Sequence, residues 1–163
     1  MKTLYVLRHA KSSWENHHQT DFERALNKRG LLAAPRIGKL MSEQGFVPDS
    51  VISSPAARAK ATAEIVKNAA NFPAEIRFDR RIYEAPLENL LEILSEISDG
   101  IESLLLVGHN PGLENLIENL TGEIRLMPTA ALAVIELRID DWKEISPACG
   151  KLCNLFIPKE IAD

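Results

Sequence analysis

The sequence predicts an α/β fold in which a mostly parallel central sheet lies between two layers of helices. Two continuously apolar runs, residues 4–7 and 104–107, are typical of central parallel strands that are covered on both faces. Apolar residues at helical spacing occur in two other segments, 87–97 and 113–120. Because strands alternate with helices along the chain, we expect a three-layer α/β/α sandwich.

Further strands and one further helix are predicted from shorter signals. Residues 51–52 form a short candidate strand, residues 133–139 form a longer one, and residues 77–78 are assigned to an edge strand. A helix is predicted within 28–43, with a bend at Pro35 because proline removes a backbone hydrogen bond. Ligands bind at the carboxyl ends of the strands in such sheets, so the residues that follow the strands are the candidates for function.

Two helices carry recognisable end signals. Pro111 stands at the start of the helix over 113–120, and Gly122 follows it as a stop. Another helix is predicted to begin near Pro55, with the Ser54 side chain as its N-terminal cap. By these signals, two helices begin close to strand ends. The free backbone N–H groups at the start of a helix favour an anion there.

Size and composition limit the classes of protein that the chain can be. With 163 residues, 45% hydrophobic and 26% charged, we expect a single globular domain over residues 1–163. The formal net charge of −4 argues against nucleic acid as the main partner. The apolar run at the N-terminus is too short for a signal peptide or a membrane span. We therefore expect a cytoplasmic protein with no membrane partner.

Two histidines and two arginines are predicted to meet at one edge of the sheet. Arg8 and His9 close the first strand, Arg58 lies in the first turn of the helix that begins near residue 55, and His109 follows the strand over 104–107. Arginine binds phosphate through a planar pair of donors, and a neutral histidine is a competent nucleophile. Adjacent arginines should keep His9 neutral by lowering its pKa, and a second histidine can stabilise charge in the transition state. This chemistry indicates phosphoryl transfer.

Three segments that contain these residues resemble the motifs of a known family. Residues 7–14, 53–62 and 107–112 resemble, in order, the three motifs of the histidine phosphatase superfamily, which includes the cofactor-dependent phosphoglycerate mutases. Residues 21–30 are similar to a connecting segment of the short, SixA-type phosphohistidine phosphatases. The resemblance spans roughly residues 4–133 and implies a phosphoglycerate mutase-like fold.

The resemblance also implies a role for each of these residues. By it, His9 accepts the phosphoryl group, Arg8 and Arg58 bind that group, and His109 stabilises its charge. Glu84 lies roughly where the family's general acid is often found, although a solvated carboxylate at a helix start is an equally good interpretation. The predicted activity is hydrolysis of a phosphohistidine or a phosphomonoester through a phosphohistidine intermediate on His9, without metal or other cofactor.

Two alternatives stay open at this stage. The first is a non-catalytic module that binds a phosphorylated partner with the same cations, although such a module has no need of the nucleophile His9. The second is a phosphotransferase like the mutases, but Glu15 stands where mutases often have an asparagine that contacts phosphate. A metal site is not expected, because the adjacent His17 and His18 have no carboxylate or cysteine at ligand spacing.

The expected substrates follow from the short connection between the first two motifs. About forty residues separate those motifs, much of them in one predicted helix, so there is no room for a large lid. An open cleft can admit a phosphorylated protein, such as a phosphohistidine domain, or a small phosphorylated metabolite.

Overall fold

The structure is a computed structural model that describes residues 1–161. Its centre is one mixed sheet of six strands in the order β3-β2-β4-β1-β5-β6. The strands are β1 (Lys2–Arg8), β2 (Ser50–Ser53), β3 (Ile76–Phe78), β4 (Ser103–Gly108), β5 (Leu132–Leu137) and β6 (Gly150–Phe156). The main helices are α1 (Lys28–Gln44), α2 (Ala57–Ala70), α3 (Leu87–Ser95) and α4 (Gly112–Thr121).

Five of the six strands run in the same direction, and β5 alone runs antiparallel to them. β1 pairs with β4 in parallel, β4 with β2, and β2 with β3. β5 pairs antiparallel with β1, and β6 pairs antiparallel with β5. The carboxyl ends of the parallel strands therefore share one edge of the sheet with the start of β5 and the end of β6. We call this the carboxyl edge.

Alternate residues of the central strands face two separate cores. Leu4 and Val6 of β1 pack with α3 and α4, whereas Tyr5 and Leu7 of the same strand pack with α1 and α2. This alternation follows from the period of two along a strand, and burial on both faces explains why the run is continuously apolar. The three-layer α/β/α architecture predicted from the sequence is confirmed.

Some details of the prediction were wrong. The strand predicted over 133–139 runs from Leu132 to Leu137, and β6 was not predicted at all. β6 is an edge strand whose residues are mostly half-buried or exposed, so it lacks the apolar run that marks a central strand. Pro35 lies inside α1, as expected, and the bend predicted there stays a prediction.

The predicted helix cap at Ser54 was also wrong. Helix α2 begins at Ala57, and Ala56 stands at the cap position without a side-chain hydrogen bond. The hydroxyl of Ser54 instead accepts a hydrogen bond from the backbone N–H of Ala56 and contacts a ring nitrogen of His109 at 2.7 Å. Ser54 therefore holds the side chain of His109, the residue that follows β4.

Candidate active site

His9 is the first residue after β1, and its backbone is tied to both neighbouring strand ends. Its N–H donates to the carbonyl oxygen of Gly108 at 3.1 Å. The N–H of Ala130 donates to the carbonyl oxygens of Arg8 and His9 at 3.1 and 3.0 Å. Ala130 adopts a left-handed conformation (φ 61°) to do so, a strained geometry of the kind that accumulates at functional sites. The position of His9 is thus rigidly held at the carboxyl edge.

The hydrogen bonds of His9 define which ring nitrogen is free to react. Nδ1 lies 2.7 Å from the carbonyl oxygen of Ala10, so it must carry the proton. Nε2 is then the nitrogen with the lone pair, and the Nε–H of Arg58 approaches it at 3.4 Å. The arrangement presents a neutral imidazole with Nε2 directed toward a guanidinium.

A buried threonine of α2 connects Arg58 with the loop that follows His9. Arg58 is the second residue of α2, as predicted, and is only 5% exposed. The hydroxyl of Thr62 donates to the carbonyl oxygen of Arg58 at 2.7 Å and accepts from the N–H of Ala10 at 3.0 Å. This threonine, which belongs to the second motif, therefore orients the loop after His9 against the first turn of the helix.

Arg8 lies on the other side of His9 and is held by the segment before β5. Its Nη1 donates to the carbonyl oxygen of Met127 at 3.0 Å, which also accepts from the Asn110 amide. Within residues 1–161, the buried Nε of Arg8 has no hydrogen-bond partner. A donor of this kind suits an anionic oxygen of a bound group.

His109 completes the cluster from the end of β4. Its ring centroid is 5.1 Å from that of His9, and its Nε2 contacts the hydroxyl of Ser54 at 2.7 Å. Its buried Nδ1 has no hydrogen-bond partner in the described part of the chain. The four residues that the sequence predicted to converge, Arg8, His9, Arg58 and His109, do lie together.

Both histidines of the cluster are neutral at pH 7. Burial, followed by the charges of His109, Arg58 and Arg8, lowers the pKa of His9 to about 3, although the hydrogen bond with Ala10 opposes the shift. Burial, followed by the charge of Arg58, lowers the pKa of His109 to about 4. The sequence predicted that arginines would keep His9 neutral, whereas desolvation is the larger cause.

Asp21 contacts Arg58 at two points, which the sequence analysis did not anticipate. Nη1 of Arg58 donates to the Asp21 carbonyl oxygen at 2.7 Å, and Nη2 donates to the carboxylate at 3.1 Å. The carboxylate also accepts from Arg24 at 3.0–3.1 Å and from the hydroxyl of Tyr83 at 2.6 Å. Burial raises the pKa of Asp21, but the Tyr83 hydrogen bond and the two arginines outweigh it and lower that pKa to about 2.

Arg24 continues this network toward the loop after His9. Its Nη1 donates to the hydroxyl of Ser12 at 2.6 Å, and its guanidinium lies 3.4 Å from the ring centroid of the exposed Trp14. The only sequence signal for this network was the resemblance of residues 21–30 to a connecting segment. Nothing in the spacing linked Asp21 to Arg58, which is 37 residues away.

Glu84 lies at the rim of the cluster and contacts it through its neighbour. The Glu84 side chain is exposed, and its backbone is left-handed (φ 53°). Tyr83 places its ring 5.6 Å from that of His109, and burial together with hydrogen bonds to Asp21 and Glu84 raises the pKa of its hydroxyl. Tyr83 therefore stays a hydrogen-bond donor, and the general-acid role of Glu84 stays a prediction.

Residues 1–161 contain neither a cluster of metal-ligating side chains nor a helix suited to span a membrane. No group of three or more His, Cys, Asp or Glu side chains in that part of the chain is arranged to hold a metal ion. None of the helices there is both long enough and apolar enough to cross a membrane.

A neutral histidine between two arginines, with a second histidine beside it at the carboxyl edge of an α/β sheet, is an arrangement suited to phosphoryl groups. Residues 4–103 match the sequence model of the histidine phosphatase superfamily (branch 1). That match covers more than half of the chain. The chain therefore belongs to the histidine phosphatase superfamily, and it is a phosphatase of that superfamily.

Solved structures support the same relationship. A protein of Agrobacterium tumefaciens assigned as the phosphohistidine phosphatase SixA shares 30% identity, with a TM-score of 0.84 over 96% of this chain and 98% of that chain. The protein histidine phosphatase SixA complexed with tungstate gives the same TM-score at 21% identity, over 96% of this chain and 97% of its own. At that identity the likeness concerns the fold.

A curated relative extends over nearly the whole chain. An uncharacterized chloroplastic protein of Arabidopsis thaliana is 28% identical over 170 residues, which cover 96% of this chain and 78% of the relative.

Proposed function

We propose that the protein is a metal-independent phosphatase that hydrolyses a phosphohistidine or a phosphomonoester through a phosphohistidine intermediate on His9. The observation that carries this proposal is the state of His9. Its Nδ1 is bonded to the Ala10 carbonyl oxygen, and its Nε2 faces Arg58 in a buried site. A neutral imidazole held in one tautomer is ready to attack phosphorus without first losing a proton.

The reaction divides into two displacements. Nε2 of His9 attacks phosphorus, the bond from phosphorus to the leaving oxygen or nitrogen breaks, and the leaving group takes up a proton. Water then attacks the phosphohistidine, and inorganic phosphate leaves as the nitrogen–phosphorus bond breaks. Arg8 and Arg58 supply charged donors for the phosphoryl oxygens in both steps. His109 can stabilise the negative charge on those oxygens in the transition state.

The exposed position of Glu84 and the likeness to a SixA protein both support hydrolysis of an easily displaced group. Glu84 contacts the cluster only through Tyr83, so a strong general acid is not built into the buried site. A phosphoramidate leaving group needs less help from an acid than an alkoxide does. Phosphohistidine on a protein is therefore the substrate class that the site favours, and the structural likeness to the Agrobacterium SixA protein points the same way.

The direct test is to trap the intermediate. Brief incubation with a phosphorylated substrate, followed by rapid quenching in base, should leave a base-stable, acid-labile phosphoryl group on a peptide that contains His9. His9→Ala should lose both the label and turnover, and His18→Ala should keep both, because His18 is exposed. An unlabelled wild type that still binds phosphorylated peptide would instead indicate a recognition module.

The metal-free assignment has its own measurement. Activity should persist in EDTA, and vanadate should inhibit competitively because it can adopt the trigonal bipyramidal shape of the transition state. A loss of activity in EDTA that a divalent metal restores would contradict the assignment.

A further inference from the structure

A basic groove opens beside the candidate active site at the carboxyl edge. It has a volume of about 300 Å³ and is lined by two helix arginines, Arg29 and Arg36, by Lys11 and Lys159, and by apolar residues that include Leu32. Among the lining residues that the structure describes, none is a carboxylate. The proposed mechanism uses none of these side chains.

Two residues that line the groove are close in sequence to His9 and to the segment that binds it. Lys11 lies two residues after His9, and Thr129, another lining residue, precedes Ala130, whose N–H bonds to the His9 carbonyl oxygen at 3.0 Å. A Cβ at Gly30 would overlap the carbonyl oxygen of Lys11, so the start of α1 packs directly on the loop that follows His9. A molecule that fills the groove would therefore lie next to a phosphoryl group on His9.

Helix α1 extends the positive charge beyond the groove. Its sequence carries four cations, at positions 28, 29, 36 and 39, against the single carboxylate of Glu43, on a chain whose net charge is −4. Arg29 and Arg36 are seven residues apart, which separates them by roughly 10 Å along the helix axis. Both side chains are exposed. The positive charge of α1 is thus concentrated along one helix of a chain whose net charge is negative.

Two apolar side chains lie among these cations. Leu31 and Leu32 are 53% and 59% exposed in the first turns of α1. Exposed large apolar residues in a charged surround are typical of surfaces that bind another macromolecule.

We infer that this groove and the exposed face of α1 form a docking surface for an acidic segment of the phosphorylated protein substrate. The inference rests on the proposed function, and it assigns to α1 the role of presenting the partner's phosphohistidine to His9. The carboxylates of the partner would contact the helix arginines, and an apolar side chain of the partner would pack on Leu32. The surface would act on substrate affinity and leave the chemical step unchanged.

A matched pair of peptides tests the inference. One carries a single phosphohistidine, introduced chemically with phosphoramidate, among glutamates and leucines, and the other has every glutamate replaced by glutamine. Wild type should show a kcat/KM roughly fivefold to tenfold higher for the acidic peptide at low salt, and the preference should disappear as salt screens the charges.

Two variants locate the effect. Arg29→Glu should abolish the preference for the acidic peptide through KM, and Leu32→Gln should raise KM for both peptides, while p-nitrophenyl phosphate hydrolysis stays unchanged in each. Lys143→Glu is the matched control, because it makes the same change in net charge on an exposed turn near the amino ends of the parallel strands. Equal use of both peptides by wild type, or an unchanged preference in Arg29→Glu, would overturn the inference.

A binding measurement distinguishes a failure of this inference from a failure of the proposed function. Fluorescence anisotropy with the unphosphorylated acidic peptide reports docking without any chemistry. Binding that Arg29→Glu weakens, together with no hydrolysis of any phosphorylated substrate, would retain the docking surface and reject the phosphatase mechanism. Hydrolysis without charge-dependent binding would retain the phosphatase mechanism and reject the docking surface.

Discussion

Arg58 and Asp21 form a two-point contact in which one arginine binds both the backbone carbonyl and the carboxylate of the same residue, at 2.7 and 3.1 Å. The Nε of the same guanidinium approaches His9 at 3.4 Å. The Asp21 carboxylate accepts hydrogen bonds from Arg58, Arg24 and Tyr83, so it sets the position of the guanidinium that faces His9. Asp21 is in our view a positioning residue for Arg58.

Removing that common acceptor should impair catalysis. Asp21→Ala should lower kcat/KM for aryl phosphates by roughly ten- to a hundredfold, because small misplacements of a catalytic group are costly. Asp21→Asn should lose less, since an amide oxygen still accepts hydrogen bonds. Asp140→Ala, an exposed carboxylate at the far end of β1, is the control. Activity at or above the wild-type level in Asp21→Ala would mean that the carboxylate competes with phosphate for Arg58.

Each of the two arginines should resist replacement by lysine. Arg58→Lys and Arg8→Lys keep the charge but lose the planar pair of donors, so we expect a loss of about 2–4 kcal/mol of transition-state stabilisation in kcat/KM. Denaturation curves should accompany the kinetics, because both side chains also hold backbone carbonyls. The exposed Arg125→Lys is the control. Near-normal kinetics in either variant would exclude that arginine from phosphate binding.

Glu84 can be tested by comparing leaving groups on one variant. If it is the general acid, Glu84→Gln should lower hydrolysis of an alkyl phosphate by roughly two to four powers of ten. p-Nitrophenyl phosphate and phosphohistidine should be affected much less, because their leaving groups need little protonation. Equal losses on all three substrates would indicate a structural role through Tyr83. No loss on any of them would show that the carboxylate is merely solvated.

The two buried histidines should make stability depend on pH. The pKa of His9 falls from 6.5 to about 3 on folding, and that of His109 falls to about 4, so the unfolded chain binds more protons at mildly acidic pH. Their contribution is fully present above pH 6.5, is lost progressively as pH falls below that value, and is gone once pH has fallen through the folded pKa values. We expect the free energy of unfolding to drop by roughly 1–2 kcal/mol per histidine between pH 7 and pH 5.

Urea denaturation of variants measures this dependence. His9→Asn should lose only about half as much stability as wild type over that interval, because one of the two titrating groups is gone. Asp21 should not interfere, since its pKa is lowered to about 2 and its contribution is lost at lower pH. His18→Asn, at an exposed position, should behave like wild type. A wild-type stability that stays flat from pH 7 to pH 5 would contradict the neutral, buried state of both histidines.

The sequence by itself determined the layers of this fold and the four central residues of its site. Short apolar runs without alternation are typical of strands buried on both faces, and parallel strands end at the same edge of a sheet. The sequence therefore predicted that Arg8, His9, Arg58 and His109 converge there. The hydrophobic pattern of the sequence did not predict β6, because an edge strand that is largely exposed needs no apolar run.

Tertiary structure decided how those residues are held and where the basic groove lies. The Ala10 carbonyl fixes the tautomer of His9, and Ser54 contacts His109 where the sequence predicted a helix cap. Asp21 reaches Arg58 across 37 residues. Hydrogen bonds between distant segments depend on the distance and direction of single atoms, which no local spacing encodes. The basic groove likewise exists only because α1, the start of β5 and the end of β6 meet at one edge of the sheet.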